Sequence, residues 1–309
     1  MTHEIDQKYN LNKTRKLFIK GFVIGLANAI PGVSGGTIAF MFGIYNDLIL
    51  SIKSVNLRLL KTLLQFKFKE ASDLIPWRFL ATVFLGAGCA IITLSKVLAF
   101  LFIHNPVLIL SFFFGLILAT IPIMTSVIKK WTITKYIIMF LSTIATYHLV
   151  GMVPLQTPNA LWFIFLCGVF AMATMILPGI SGSFVLLLLG KYLFILQAVN
   201  ERNLIIICVF GLGAMIGVVS IAQLLSRLLK NHHDRTMIIL TAFVVGSLRK
   251  IWPWKETLSS ITNMKGEVIP THQVNTLPQA FTPELIWAIV LMVIGFLFAL
   301  LINSTTKDV

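Results

Sequence analysis

Residues 29–37 read Ala29-Ile30-Pro31-Gly32-Val33-Ser34-Gly35-Gly36-Thr37, and residues 176–184 read Ile176-Leu177-Pro178-Gly179-Ile180-Ser181-Gly182-Ser183-Phe184. The two strings lie 147 positions apart, and the same spacing relates Gly43 to Gly190 and Tyr45 to Tyr192. Each string interrupts an apolar stretch, 17–50 in one case and 161–199 in the other. About 20 residues cross the hydrocarbon core as a helix, so either stretch is too long for one ordinary span. Proline removes a backbone donor and crowds the preceding turn, while glycine admits conformations closed to other residues. A helix must therefore stop, turn and restart at each cluster. Weaker echoes follow: Gly86-Ala87-Gly88 against Gly211-Leu212-Gly213, and Gly115 and Pro122 against Gly246 and Pro253. The chain reads as an internal duplication.

Composition places these breaks in a membrane. Of 309 residues 57% are hydrophobic and 12% charged, and the mean hydropathy is +0.91. Soluble domains carry about 25% charged residues, so neither a water-soluble globule nor a disordered chain fits. Six further apolar stretches are long enough to span: 79–103, 107–128, 136–153, 204–229, 237–251 and 285–302. Cys89, Cys167 and Cys208 are scattered through apolar runs, which speaks against disulfides and against a metal site. The basic, then apolar, N-terminus resembles a signal peptide with a cut near Ala29, but its Gly-rich continuation recurs later, which a leader has no reason to do. Trp77, Trp131, Trp252, Trp254 and Trp287 flank spans as interfacial residues do.

The charge imbalance, 25 Lys and Arg against 11 Asp and Glu for a net +14, points to nucleic acid, a membrane surface or an anionic substrate. Its distribution decides. If 17–50 and 161–199 are re-entrant hairpins and the N-terminus is cytoplasmic, eighteen of the 25 basic residues fall inside. These are the tail (Lys8, Lys13, Arg15, Lys16, Lys20), the loop with Lys53, Arg58, Lys61, Lys67, Lys69 and Arg78, the clusters at 129–135 and 227–235, and Lys307. The positive-inside rule favours this arrangement over single kinked crossings, which would separate adjacent basic segments, and it leaves no role for nucleic acid.

The expected fold is an all-α integral membrane bundle of two inverted repeats, each opening with a re-entrant broken helix. Its parts are a cytoplasmic tail (1–16), a first repeat (17–133), a connecting helix (134–158), a second repeat (159–255), an extracytoplasmic loop (256–283) and a last helix with a cytoplasmic tail (284–309). Hairpin tips entering from opposite faces meet near the midplane. Each presents amides at the start of a half-helix, a setting that binds anions. Asn28, Gly32, Ser34, Gly35, Gly36 and Thr37 in the first copy, and Gly179, Ser181, Gly182 and Ser183 in the second, form the expected anion site, with Pro31 and Pro178 making the breaks. Packing of kinked helices through small residues is the alternative.

The doubled motif, Asn28-x-x-Pro31-Gly32-x-Ser34-Gly35-Gly36-Thr37 with Gly43-Ile44-Tyr45, and Pro178-Gly179-Ile180-Ser181-Gly182-Ser183 with Gly190-x-Tyr192, resembles the polyprenyl-phosphate transporter family over roughly residues 15–300. The resemblance implies movement of undecaprenyl phosphate, the C55 lipid carrier, from the outer to the cytoplasmic leaflet of the bacterial cell membrane for reuse in cell-wall synthesis. It implies no cofactor, no metal and no catalysis, with membrane lipid as surroundings and a proton or ion gradient as a candidate driving force. It also implies an acidic residue two positions after each tyrosine. Asp47 stands there in the first copy and Phe194 in the second, so Asp47 is an unpaired candidate for proton coupling. Scarcity of acids suits a phosphate passenger, whose bare transfer through hydrocarbon is costly.

Lys96 lies within a span and is read as a phosphate ligand or a snorkelling side chain. Lys191, after Gly190, is read as a phosphate contact at the outer mouth or a helix anchor. Asp47 has a helix cap as its alternative role. His104 reads as an interfacial cap and His148 as a packed or interfacial group. A small-anion channel or carrier built from broken helices is the competing function. An intramembrane serine protease is another, because Gly32-Val33-Ser34-Gly35 satisfies G-x-S-G with His148 as its partner; duplication of the motif speaks against it. Ser226-Arg227 with His233 imitates a lipid-phosphatase motif but lacks its remaining parts.

Overall fold

Glycines set how the helices meet. The computed structural model describes residues 5–6, 8–9, 11–30, 32–262, 268–278 and 281–307. Helix α1 (Leu11–Asn28) is followed by the short α2 (Gly35–Met41) and α3 (Tyr45–Lys53), then by the surface helices α4 (Leu57–Leu64) and α5 (Phe68–Leu74). Two long helices follow, α6 (Trp77–His104) and α7 (Pro106–Thr125). After α8 (Ile133–Leu149) the pattern begins again with α9 (Leu161–Ile176), α10 (Gly182–Leu188), α11 (Tyr192–Asn200), α12 (Leu204–Asn231) and α13 (His233–Ile251). The strands β1 (Lys255–Thr262) and β2 (Val268–Asn275) precede the last helix, α14 (Pro283–Lys307).

One crossing is built twice. Where α1 crosses α6, a Cβ on Gly21 would overlap the Val83 carbonyl, and one on Gly86 would overlap that of Phe18. Where α9 crosses α12, Gly168 meets the Phe210 carbonyl and Gly213 meets that of Phe165 in the same way. Without side chains at these points the backbones approach closely enough to bury the seam. Both α6 and α12 run for 28 residues and end on caps of matching shape, Asn105 at φ −138° and His232 at φ −137°. The crossing pairs Gly86 with Gly213. The sequence echo sets Gly86 against Gly211 instead, but Gly211, like Gly88, faces open space and plays no part in the seam.

The broken stretches also match in backbone. Gly32 and Gly179 take φ of +92° and +86°, and Gly43 and Gly190 take +67° and +63°. These left-handed turns are open to glycine at little cost. They divide each stretch into three helical pieces, and α10 and α11 are bent by 107°.

The last helix packs on the first unit. Gly115 of α7 lies against the Met292 backbone of α14, and Gly295 of α14 against that of Phe112. In the second unit α8 fills the corresponding place, packing on α13 with Thr146 against Gly246.

Among the described residues four helices are long and apolar enough to cross a membrane: Trp77–Leu94, Pro106–Thr125, Leu204–Asn231 and Pro283–Ser304. Two of the expected spans fall short of that measure, since α8 stops at Leu149 and α13 opens on His233-Asp234-Arg235. Large apolar side chains such as Ile92, Phe140, Leu212 and Leu301 face outward, as they do in a membrane protein. The stretch after Trp254, expected to be a plain loop, carries an antiparallel ribbon that pairs Lys255 with Asn275 and is bulged between Thr257 and Ser260. Among the described residues the regular structure is helical apart from this ribbon.

Candidate functional site

The two Pro-Gly motifs touch. Ser34 is the N-cap of α2, in extended backbone at φ −103° and ψ 126°. Its Oγ accepts from the Gly36 amide at 3.2 Å and donates to the Leu177 carbonyl of the other motif at 2.9 Å. The Gly179 amide of the second motif in turn donates to Thr37 Oγ1 at 2.9 Å. Asn28 Oδ1 accepts from Gly35 N at 2.8 Å. Ser34, Gly35, Gly36, Thr37, Gly179, Ser181 and Gly182 are all buried. Gly36 sits on the Ile176 carbonyl so closely that no Cβ fits. Pro178 is buried directly after the Leu177 cap of α9; Pro31 lies outside the described residues.

The halves differ in how their amides are spent. The first tip is capped by its own side chains, Asn28 and Ser34, and contributes Thr37 to the second. In the second copy Met175 replaces Asn28 and Phe184 replaces Thr37, so no equivalent acceptor exists. Ser181 has the same extended backbone, φ −98° and ψ 133°, but makes no side-chain cap bond. Its Oγ lies 2.8 Å from Ser183 Oγ. Among the described residues, the amides of Gly182, Ser183 and Phe184 have no partner. The sequence reading expects free donors at both tips, and in this conformation they lie at the second.

A cation missed in the sequence reading reaches this junction. The Lys250 side chain covers Gly32, with Cγ 3.0 Å from where a Cβ would stand, and its Nζ lies 5.0 Å from the Phe184 ring centre. Lys250 thus contacts one residue from each tip. No local pattern ties the end of α13 to residue 32. The available signal was a basic pair, Arg249-Lys250, closing an otherwise apolar span.

The other charged candidates stand elsewhere. Lys191, at the far end of α10 from Ser181, is buried and donates to the Thr157 carbonyl at 2.7 Å and to Asn159 Oδ1 at 2.8 Å. Asp47 lies in the first turn of α3, beyond α2 from the tip, and accepts from Lys8 Nζ at 3.0 Å and from Tyr9 OH at 2.7 Å. Burial and this carboxylate hold the Tyr9 hydroxyl well above its usual range. Lys96 belongs to α6, and its side chain lies outside the described residues. His148 packs its ring against Tyr147 and shares no hydrogen bond with Ser34 among the described residues. The buried Tyr45 hydroxyl has no partner there either.

Among the described residues the tip contacts offer polar donors, a nearby cation and no carboxylate, a setting suited to a transient anion. Comparison with known proteins agrees. The profile of a family described as undecaprenyl phosphate translocase-like matches residues 24–269. A polyprenyl-phosphate transporter of Vibrio cholerae is 40% identical over 264 residues, covering 85% of this chain and 86% of that protein. A polyprenyl-phosphate transporter of Staphylococcus aureus is 28% identical over 254 residues, covering 76% and 85%. No solved structure matches.

Proposed function

The chain belongs to the undecaprenyl phosphate translocase-like family, and from that premise we propose that it carries undecaprenyl phosphate from the outer to the cytoplasmic leaflet of the bacterial cell membrane. The observation that carries the proposal is the contact between the two motifs, where free amides and hydroxyls of the second tip lie beside Lys250. The phosphate crosses on these groups: Gly182, Ser183 and Ser181 hold it first, and Asn28, Gly32, Ser34, Gly35, Gly36 and Thr37 receive it once the tips part. The prenyl tail stays in lipid throughout. The protein supplies the polar path and performs no catalysis. Ser34 is tied to Leu177 and Gly36 rather than to a base, which supports transport over proteolysis.

Both termini are cytoplasmic in this reading, the halves are inverted, and 17–50 and 161–199 are re-entrant. The matched glycine turns and crossings support a two-unit design. An asymmetry supports a one-sided state of it: α3 packs against α12 of the other unit, with Lys53 Nζ 2.9 Å from Ser226 Oγ, whereas α11 packs against α12 of its own unit. Exchanging these contacts would open the tips to the opposite side. Asp47, freed from Lys8 and Tyr9, is the proposed proton carrier, while Lys96 and Lys191 line the path before and after the tips.

The test is a leaflet-resolved assay with the full chain in liposomes containing undecaprenyl phosphate. Transport by the wild type and its loss on combined Ser34→Ala and Ser183→Ala substitution are expected. Transport unchanged in that double variant would overturn the role of the tips.

A further inference from the structure

Arg249, Lys250 and Lys255 converge on one small pocket with Gln273, Asn275, Gly151 and the neighbouring backbone. Each is fixed in place. The Arg249 guanidinium fills the space a side chain at Gly151 would need, donates to the Tyr147 carbonyl at 2.9 Å and lies 4.4 Å from the Tyr147 ring centre. Lys255 Nζ donates to the Lys250 carbonyl. Asn275 Nδ2 donates to the Arg249 carbonyl at 3.0 Å. Among the described residues none of the three cations has a carboxylate partner. Three like charges in one polar pocket repel each other, and burial removes the water that would screen them.

A second cavity is lined from the same segment. Trp252 and Trp254, between Lys250 and Lys255 in sequence, line an apolar groove with Leu277, Phe281, Leu285 and Met292. Its volume is about 520 Å³, within the range of small-molecule sites. The segments 250–255 and 273–277 are joined by Trp252 Nε1 donating to the Thr276 carbonyl at 2.8 Å and the Thr276 amide donating to the Trp254 carbonyl at 3.0 Å. Basic pocket and apolar groove are therefore both built from these two segments.

We propose that these two cavities form a docking site for a prenyl phosphate, with Arg249, Lys250 and Lys255 on the phosphate monoester and the Trp252–Trp254 groove on the first isoprene units. The inference deepens the transport reading and rests on it for the identity of the guest. It adds a site ahead of the tips, from which Lys250 leads onward to Gly32 and Phe184. The basic pocket now holds about 20 Å³, room for a water, so seating a phosphate moves the Gln273–Asn275 edge outward. The buried Lys255 amine, pushed down to about 7 chiefly by burial and then by Lys250, fits a cation awaiting its counter-charge.

The probe is a labelled C15 prenyl phosphate bound to the purified full chain in nanodiscs, with inorganic phosphate, the C15 alcohol and a straight-chain alkyl phosphate as competitors. Removing two charge-assisted contacts with Arg249→Gln and Lys255→Gln is expected to weaken prenyl phosphate binding about tenfold or more and leave the alcohol's weak binding unchanged. Arg249→Lys with Lys255→Arg, which keeps both charges, is expected to retain most of the affinity and serves if the glutamine variant fails to fold. Trp254→Ala is expected to narrow the preference for the prenyl chain over the straight chain. Wild-type affinity in a folded double glutamine variant overturns the site. Inorganic phosphate competing as well as prenyl phosphate overturns the groove and leaves a free-anion site. Loss of binding without any leaflet transfer by the wild type sinks the transport reading while this site stands.

Discussion

The Gly179 amide donates across the motif contact to the Thr37 hydroxyl at 2.9 Å, so the break in the second repeat is completed by a side chain of the first. Both groups are buried. Thr37→Val keeps the shape and removes the acceptor, leaving a buried amide unsatisfied at about 1–3 kcal/mol. Ser34→Ala removes a cap at about 0.5–2 kcal/mol and also frees the Leu177 carbonyl. Ser181→Ala, which removes no cap bond, is expected to be milder. Thermal unfolding in detergent should rank Ser181→Ala above the other two. Equal melting temperatures for all three would contradict the capping asymmetry.

Gly43 and Gly190 form a natural control. Their φ angles are +67° and +63°, yet a Cβ on Gly43 meets nothing within 4 Å while one on Gly190 overlaps the Leu155 carbonyl. Gly43→Ala should cost only the left-handed backbone, about 1–2 kcal/mol. Gly190→Ala should add about 1–3 kcal/mol of overpacking. Comparable stability of the two alanine variants would mean that the 155–190 contact is dispensable.

The bond from Lys53 Nζ to Ser226 Oγ reports the docking of α3 on α12. Cysteines at these two positions, joined by a short bifunctional reagent, should arrest leaflet transfer, and cleaving the link should restore it. Full transport in the linked protein would rule out an α3 movement.

Lys255 gives a pH signature. Its folded value of about 7 lies below the ordinary lysine value of 10.5, so between these the unfolded chain binds more protons. Stability of the ligand-free protein should rise with pH from about 7 to 10.5 and lose its Lys255 share as pH falls through 7. Arg249 and Lys250 are the charges that face this amine. Lys255→Met should flatten that part of the slope in a pH series of melting temperatures. An unaltered slope would place the amine in water.

The doubled breaks were legible because proline and glycine act on their own neighbours: Pro178 ends α9 within two residues, and the glycine turns recur at one spacing. The tip contact was legible only as a meeting of motifs. That the first tip caps itself follows from Asn28 and Thr37 standing where the second copy has Met175 and Phe184, a difference visible in sequence but silent until the geometry shows what those side chains accept. Lys250 was hidden because tertiary packing alone brings α13 to residue 32. The ribbon was hidden by its composition, since Pro270 within β2 reads as a strand breaker and is tolerated at an edge position.

The packing of α14 on α7 has a consequence for assembly. The Gly115 face of α7 is covered by α14, which follows both units in the chain. In a membrane, a first unit inserted ahead of α14 would stand with this backbone seam open to lipid. The second unit meets no such delay, because α8 precedes it and is already in place when α13 arrives. Shortening the C-terminus would therefore injure the half of the molecule that was synthesised first.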